Sequence, residues 1–222
     1  MLIIAIDPGP QESGYVEIGV QDGGVLVFES GVRQNKNIES DLMREPICLK
    51  MVAIEMIANY GMAVGASTFR TCVQIGRFEH ACGRTRFDEV YRSEVKLTLC
   101  NSKRATDSNV KQVIIDMFGG KDKAIGGNKC KKCKGKGVVG RAREVCAQCE
   151  GTGWLNPPGP LVNVKSHAWS ALAVALTYAI LNGYLSPLVV NPGGLCRNSP
   201  PLDHGCSQGN PKASPTRRGE PF

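Results

Sequence analysis

The chain has 222 residues, 42% of them hydrophobic, and 27 Lys and Arg against 20 Asp and Glu give it a formal net charge of +7. This size and apolar content suffice for one domain of ordinary size with an insertion and a tail. The apolar start Leu2–Ile6 has no basic leader and is broken by Asp7 and Pro8, while the most apolar later stretch, 171–181, is too short to span a bilayer. We therefore expect a cytoplasmic chain with no membrane partner.

The first 120 residues predict strands and helices in mixed order. Leu2–Ile6 is a continuous, largely β-branched apolar run, typical of a strand buried on both faces. Two more predicted strands follow across Gly-rich turns and complete an antiparallel three-stranded meander. The predicted elements, in chain order, are strands at 2–6, 13–20 and 24–33, a short helix at 38–44, a buried strand at 51–57, a helix at 67–82, a segment at 90–99 that is extended and then helical after Ser93, and a helix capped by Asp107 or Ser108 that runs to Phe118.

Residues 121–160 are bracketed by Gly126-Gly127 and by the run Pro157-Pro158-Gly159-Pro160, which is typical of an insertion. A strongly apolar, Ala-rich helix is predicted after it, at 167–183. The chain then divides into three predicted parts: a core domain at 1–120 and 161–185, an inserted module at 121–160, and a disordered tail rich in Pro, Gly and Ser at 186–222. This order of elements is that of the ribonuclease H-like fold, an α/β fold in which helices flank a mixed sheet.

The inserted module contains the phrase Cys-x-x-Cys-x-Gly-x-Gly twice. Its four cysteines are Cys130, Cys133, Cys146 and Cys149. Two residues between paired thiols let both sulfurs of a turn face one ion, and two such turns supply the four thiolates that tetrahedral Zn²⁺ prefers. A pair of disulfides is the alternative, which the repeated glycines disfavour. The phrase resembles the cysteine-rich zinc module of the DnaJ chaperones, reduced here to two repeats.

Positive charge is concentrated in the same module. Seven basic residues and no acidic residue lie between Lys129 and Arg143. Such a patch is typical of a contact with nucleic-acid phosphates, and we predict that Lys131, Lys132 and Lys134 bind DNA. A solvated basic loop in a mildly basic protein is the alternative.

Two acidic residues stand at or near the ends of predicted buried strands. Asp7 follows the first strand, at the carboxyl end where open α/β sheets keep their sites, and Glu55 is the lone acidic residue of the strand at 51–57. If the two strands are neighbours, the repulsion between these carboxylates in a low-dielectric cleft needs a cation, and Mg²⁺ is suited to such oxygens. The alternatives are an Asp-Pro-Gly turn for Asp7 and an ion pair with Arg92 for Glu55.

Five phrases stand in a characteristic order along the chain. They are Ile3-Ile4-Ala5-Ile6-Asp7-Pro8-Gly9, Val52-Ala53-Ile54-Glu55, Tyr91-Arg92-Ser93-Glu94-Val95-Lys96, Ala105-Thr106-Asp107-Ser108-Asn109-Val110 and Ser170-Ala171-Leu172-Ala173-Val174-Ala175. These phrases resemble the RuvC family of Holliday junction resolvases, above all its virus-encoded members, over residues 1–118 and 161–183. The resemblance implies a homodimeric endonuclease that nicks two strands of a four-way DNA junction symmetrically with Mg²⁺ or Mn²⁺, in the host cytoplasm if the chain is viral.

The resemblance also implies roles for single residues. Asp7 and Glu55 would hold the metal ions, and Lys96 falls on a basic position that contacts DNA near the scissile phosphate. We predict that Tyr60 stacks on an exposed base near the junction, with packing on its own domain as the alternative. The helix that begins near Ser67 would carry the dimer contact. Its candidate residues are Phe69, Cys72 and Phe78, for which core packing is the alternative.

The chain departs from the family pattern at two places. At the start of the last helix the family carries two acidic or metal-binding positions three residues apart, which here are His167 and Ser170. Histidine can ligate a metal or take a proton from the attacking water, whereas serine is a weak neutral ligand. The alternative for His167 is a helix-terminal residue bonded to backbone or solvent.

The second departure is Asp107, which occupies a position that is basic in cellular members of the family. Three nearby cations, Lys103, Arg104 and Lys111, are candidates to supply that charge, and we favour Lys111.

We prefer the junction endonuclease over three other hypotheses. A DNA-binding protein of the same fold that hardly cuts branched DNA is supported by Ser170. A chaperone-like zinc module fused to a ribonuclease H-like domain fits the density of lysines less well. An actin-like nucleotide-binding domain would need a second glycine-rich phosphate loop, which the sequence lacks.

Overall fold

The structure, a computed structural model, describes residues 1–44, 50–58, 61, 63–83, 87–140 and 143–186. Its centre is a sheet of five strands: β1 (Leu2–Asp7), β2 (Glu12–Gln21), β3 (Gly24–Gln34), β4 (Lys50–Met56) and β5 (Phe87–Tyr91). Their order across the sheet is β3-β2-β1-β4-β5. The first three strands form the antiparallel meander, and β4 and β5 run parallel to β1. The mixed sheet predicted from the sequence is confirmed.

Helices cover both faces of this sheet. They are α1 (Asn35–Arg44), α2 (Ala66–Cys82), α3 (Arg92–Cys100), α4 (Asp107–Met117), α5 (Lys121–Ala124) and α6 (Ala168–Leu181). α6 packs on one face together with α3 and α4, whereas α1 and α2 lie on the other. Ten of the 14 residues of α6 are buried, as expected of a helix that is apolar all round. None of the described helices is long and apolar enough to cross a membrane.

The start of α4 differs from the sequence prediction. Its N-cap is Thr106, so the predicted cap at Asp107 or Ser108 is wrong. The Asn109 N–H donates to the Thr106 hydroxyl at 3.3 Å, and the Thr106 N–H donates to the Asn109 side-chain oxygen at 2.9 Å. This reciprocal pair satisfies two N–H groups at the helix start and leaves the Asp107 carboxylate free to pair elsewhere.

The inserted module forms two small antiparallel sheets. β6 (Gly126–Lys129) pairs with β9 (Trp154–Pro158), and β7 (Val138–Val139) pairs with β8 (Glu144–Val145). β6 and β9 are the first and last strands of the module, and they pair with each other. The chain therefore departs from the core domain and returns to it at one place, between α5 and α6. Predictions that concern Tyr60 and residues 187–222 fall outside the described residues.

One glycine of β2 determines how closely the start of α6 approaches the sheet. Gly14 pairs with Asp7 across β1 and β2. A Cβ atom built on Gly14 would lie 2.4 Å from the carbonyl oxygen of His167. The residue before α6 therefore reaches the end of β1 because residue 14 carries no side chain. Gly31 in β3 has nothing within 4 Å of the corresponding atom.

We predict that Gly14→Ala destabilises the chain and Gly31→Ala does not. The added methyl group at position 14 overlaps backbone, which costs about 1–3 kcal/mol of unfolding free energy. At position 31 the substitution is neutral or stabilises by up to about 1 kcal/mol, because it restricts the unfolded chain without a clash. Urea denaturation of the two variants and the parent measures this difference, and equal midpoints for both variants would contradict it.

Candidate functional site

Two carboxylates lie side by side at the carboxyl edge of the central strands. β1 and β4 are parallel neighbours in which Ile6 pairs with Ile54, so the residues that follow, Asp7 and Glu55, are adjacent. Since side chains alternate along a strand and the residues two positions earlier pack toward α6, both carboxylates belong to the α6 face. Their side chains are only 19% and 14% exposed. The sheet thus brings together the two acids that the sequence singled out.

The start of α6 adds two polar groups beside Asp7. The Nδ1 atom of His167 lies 3.2 Å from the Asp7 carboxylate, and Ser170 lies close enough for its hydroxyl to lower the pKa of the same carboxylate. His167 remains 69% exposed, so its other ring nitrogen faces solvent. Asp7 and His167 are therefore in direct contact, and Ser170, in the first turn of α6, lines the same cleft as His167.

Arg92 occupies the space beside Glu55. Its Nε atom lies 3.6 Å from Glu55, and its terminal nitrogen donates to Asp107 at 2.5 Å. The ion pair that the sequence offered as an alternative role for Glu55 is thus present. Its remaining terminal nitrogen, Nη1, is buried and has no hydrogen-bond partner among the described residues. Arg92 was missed as a site residue, although its position directly after β5 at the carboxyl edge of the sheet was the available signal.

Burial makes both carboxylates hard to ionise. It raises the pKa of Asp7, and hydrogen bonding and charge from His167, with charge from Arg92, offset this only in part. Burial raises the pKa of Glu55 to about 7, with Arg92 lowering it and the charge of Asp7 raising it further. The neighbouring side chains therefore stabilise the charged forms of the two carboxylates only in part. Oxygen ligands that are buried and short of positive charge fit Mg²⁺ or Mn²⁺ by their chemistry.

The acidic site is not a compact ligand cage. Among the described residues, the four cysteines are the only group of three or more metal-ligating side chains whose ligand atoms all lie within 4.8 Å of one another. Asp7, Glu55 and His167 are more widely spread than that, and the Arg92 guanidinium supplies positive charge at Glu55. The two carboxylates are chemically suited to a hard cation. In this structure, however, the potential ligand atoms are too far apart for a compact metal site, and an arginine balances part of the carboxylate charge.

A cleft of about 560 Å³ opens next to these groups. Its lining includes Arg92, Asp107, Lys111, Lys165, His167, Trp169 and Ser170. The Lys111 ammonium lies 4.6 Å from the centre of the Trp169 ring, which holds it at the wall of the cleft. Lys96 of α3 is half-buried and close enough for its charge to lower the pKa of Glu55. The predicted phosphate contacts Lys96 and Lys111 therefore both lie near the carboxylates.

The four cysteines of the inserted module converge on one point. All four are buried, and the Sγ atoms of Cys130 and Cys146 are 3.7 Å apart, while those of Cys133 and Cys149 are 3.6 Å apart. Four sulfurs bound at about 2.3 Å to one tetrahedral ion would be separated by about 3.8 Å. A disulfide would need about 2.05 Å, so the disulfide alternative is wrong for these four. The lysines beside them, Lys131, Lys132 and Lys134, are exposed.

Known structures share this architecture, although no protein-family model and no curated protein matches the sequence. Thermus thermophilus RuvC is similar at a TM-score of 0.52 and 18% sequence identity, over 85% of this chain and all of that one. T. thermophilus RuvC in complex with a Holliday junction substrate is similar at a TM-score of 0.53 and 17% identity, over 85% of this chain and 99% of that one. The chain has the RuvC fold. A Fowlpox virus resolvase in complex with Holliday junction DNA is similar at a TM-score of 0.30 and 11% identity, over 54% of this chain and 86% of that one, which supports no inference here.

The RuvC fold agrees with the resemblance found in the sequence phrases, and the predicted fold class is confirmed. The four-cysteine cluster that the repeated phrase predicted is also present. The roles of the single residues remain predictions, because a shared fold at this identity does not transfer them.

We predict that Cys130→Ala with Cys133→Ala removes zinc from the chain. The double change leaves two thiolates, too few for a stable tetrahedral site, so bound zinc should fall from about one ion per chain to none. Metal analysis of the purified variants measures the content, and Cys72→Ala, at an exposed cysteine of α2, is the matched control that keeps it. Undiminished zinc in the double variant would contradict the cluster assignment.

We predict that the acidic site of the RuvC fold binds divalent cations more tightly at pH 8 than at pH 6. With the pKa of Glu55 at about 7, its ionised fraction rises about tenfold over this range, and only the ionised form is a ligand. Without metal, the free energy of unfolding should fall as the pH rises from about 4.5 to about 7. In this range Glu55 of the folded chain still holds a proton that the unfolded chain has lost.

Titration with Mn²⁺, followed by its effect on water relaxation, measures the affinity at each pH. Glu55→Gln should abolish this part of the pH dependence. His167→Ala keeps both carboxylates and should retain it. An affinity of the parent that stays constant between pH 6 and pH 8 would contradict a ligand Glu55 with a pKa near 7.

Proposed function

We propose that this chain is a metal-dependent, structure-selective endonuclease that resolves four-way DNA junctions by paired symmetric nicks. The observation that supports it most is the pair of buried carboxylates, Asp7 and Glu55, at adjoining strand ends of a RuvC fold, with His167 in contact with Asp7. RuvC of T. thermophilus, the fold neighbour, was solved with a Holliday junction substrate. The cationic cleft beside the carboxylates suits the DNA backbone of such a junction.

Each site residue receives a role in this proposal. Asp7 and Glu55, with His167, would hold Mg²⁺ or Mn²⁺, which supplies the charge that activates water and stabilises the leaving oxygen of a phosphodiester. With Nδ1 facing Asp7, the exposed Nε2 of His167 can instead accept the proton of the attacking water. Lys96 and Lys111 would bind phosphates near the scissile bond. Tyr60 keeps its proposed stacking role outside the described residues.

Ser170 gives the second candidate function its support. Where a carboxylate would add negative charge for a metal, this neutral hydroxyl lies near Asp7 and lowers the pKa of that carboxylate instead. The same chain could then bind branched DNA without cutting it, and the Ser170→Asp substitution separates these two functions.

The proposal includes a homodimer formed through α2. Phe69 is 64% exposed, and Val73, one turn later on the same face, is also exposed. Cys72 beside them is exposed as well. Phe78 is fully buried in the core between α2 and the sheet, so its prediction as an interface residue is wrong and its alternative role in the core is right. Two active sites in one dimer would account for paired nicks.

Zinc and the inserted module complete the proposal. We assign the nuclease domain to 1–120 and 161–185 and the zinc module to 121–160, in which Cys130, Cys133, Cys146 and Cys149 would hold Zn²⁺. A cytoplasmic location, in a host cell if the chain is viral, fits an enzyme that acts on DNA.

We predict that the purified chain nicks a labelled synthetic four-way junction in the presence of Mg²⁺ at two symmetric positions and leaves linear duplex intact. Asp7→Asn should abolish cleavage and spare junction binding, because it removes a metal ligand without reversing a charge that faces DNA. Ser170→Asp is the informative companion, since it restores the acid that the resemblance implies. Cleavage by this variant alone would show that Ser170 limits the chemistry, and tight junction binding without cleavage by either protein would favour the binding function.

A further inference from the structure

The two repeats of the inserted module are built alike. The N–H of Cys130 donates to the Gly153 carbonyl and that of Cys146 donates to the Gly137 carbonyl, both at 2.9 Å. In the same way Gly137 and Gly153 each donate their N–H to the sulfur of the cysteine four residues earlier, both at 3.3 Å. A Cβ atom on Gly137 would lie 2.1 Å from a backbone oxygen of the other repeat, so the glycines are fixed by this mutual packing. The repeats are thus related by an approximate two-fold arrangement.

The side chains at the remaining positions break this symmetry. The first repeat has Lys131, Lys132, Lys134 and Lys136, and the second has Ala147, Gln148, Glu150 and Thr152 at the equivalent places. The two repeats share even the left-handed backbone conformation at this position, since Lys134 and Glu150 have φ angles of 53° and 50°. Since Ala, Gln, Glu and Thr support the same turn, the architecture does not require four lysines. Because the fold does not require these lysines, their presence on one repeat alone indicates that they bind a ligand.

The lysines of the first repeat border a cleft of about 560 Å³. Its cationic wall is formed by Lys132, Lys134, Lys136 and Arg143, and Val138 and Val139 of β7 also line it; we call the four basic residues the lysine cleft. All four are exposed, and none forms an ion pair with another residue in the described part of the chain. Four uncompensated charges around one concave surface attract a ligand with closely spaced negative charges.

We propose that the lysine cleft binds the phosphate backbone of one duplex arm of the DNA substrate, apart from the active-site cleft. This inference rests on the proposed function for the identity of the nucleic acid. Lysines are point charges that suit phosphates at variable geometry, and the cleft offers no exposed aromatic side chain on which an unpaired base could stack. The contact is therefore to the backbone and independent of sequence, and it extends the footprint along one arm.

The decisive variant exchanges the first repeat's side chains for those of the second: Lys132→Gln, Lys134→Glu and Lys136→Thr. Each new residue already occupies the equivalent position of the same chain, so the module should keep its zinc. In an Asp7→Asn background, which prevents cleavage, we expect the dissociation constant for a four-way junction at about 0.1 M salt to rise at least about tenfold. The slope of log affinity against log salt should become shallower by about 2 to 3, since about three phosphate contacts are lost. Linear duplex should show the same loss.

Two controls separate the cleft from general charge and from misfolding. Lys36→Glu with Arg44→Glu, at exposed positions of α1 on the opposite face of the sheet, makes the same change in net charge and should alter affinity far less. Lys121→Gln and Lys132→Gln remove equal charges from exposed positions of the inserted module, of which only the second lines the cleft, and only the second should weaken binding. Zinc content is measured for every variant.

Unchanged affinity and salt slope in the exchange variant would overturn the cleft proposal while leaving the nuclease proposal intact. Equal losses from Lys121→Gln and Lys132→Gln, or from the α1 pair, would also overturn it by showing diffuse attraction. A parent chain that binds the junction through the cleft and cuts nothing, even with Ser170→Asp, would support the cleft and contradict the nuclease. A parent that binds neither DNA would overturn both.

Discussion

The burial of two carboxylates at one sheet edge is the constraint on which the site depends. Asp7 and Glu55 are adjacent because β1 and β4 are parallel neighbours, and α6 packs against these strands, so both carboxylates are largely buried. Carboxylates in such surroundings need positive charge or hydrogen-bond donors to ionise. The protein supplies Arg92 to Glu55 and the groups of His167 and Ser170 to Asp7. A divalent cation would complete this compensation.

The compensating groups come from distant parts of the sequence. His167 is 160 residues from Asp7, and the inserted module lies between the strands and α6. The insertion leaves this geometry intact because β6 and β9 pair at its base and return the chain to the same place. The glycine at position 14 then allows the His167 backbone to lie against β2. The core and the module can therefore differ in how they are stabilised, the core by apolar packing around α6 and the module by its sulfur cluster.

The sequence predicted those parts of the structure that follow from local patterns. The buried strands, the apolar helix α6 and the cysteine cluster have periodicities or spacings that few other arrangements satisfy. Asp7 and Glu55 could be placed because strand ends meet at one edge of a parallel pair. Arg92 was considered only as an ion-pair partner of Glu55, and its second contact, with Asp107, was missed because the distance between these elements is set by tertiary packing. Phe78 was misassigned because helical spacing alone does not tell which face of α2 meets the sheet.

Ser170 and Arg92 change the charge of the site in the same direction. A neutral hydroxyl stands beside Asp7, where the family resemblance implies an acid, and a guanidinium bridges Glu55 and Asp107, so the site carries less negative charge than its carboxylates alone would give. A less negative site holds a divalent cation more weakly, but it also repels an approaching phosphate less. The lysine cleft acts in the same sense, because it adds attraction for DNA and contributes nothing to metal binding. Under the proposed function, these features favour tight capture of branched DNA, and occupancy of the metal site then becomes the step that limits cleavage.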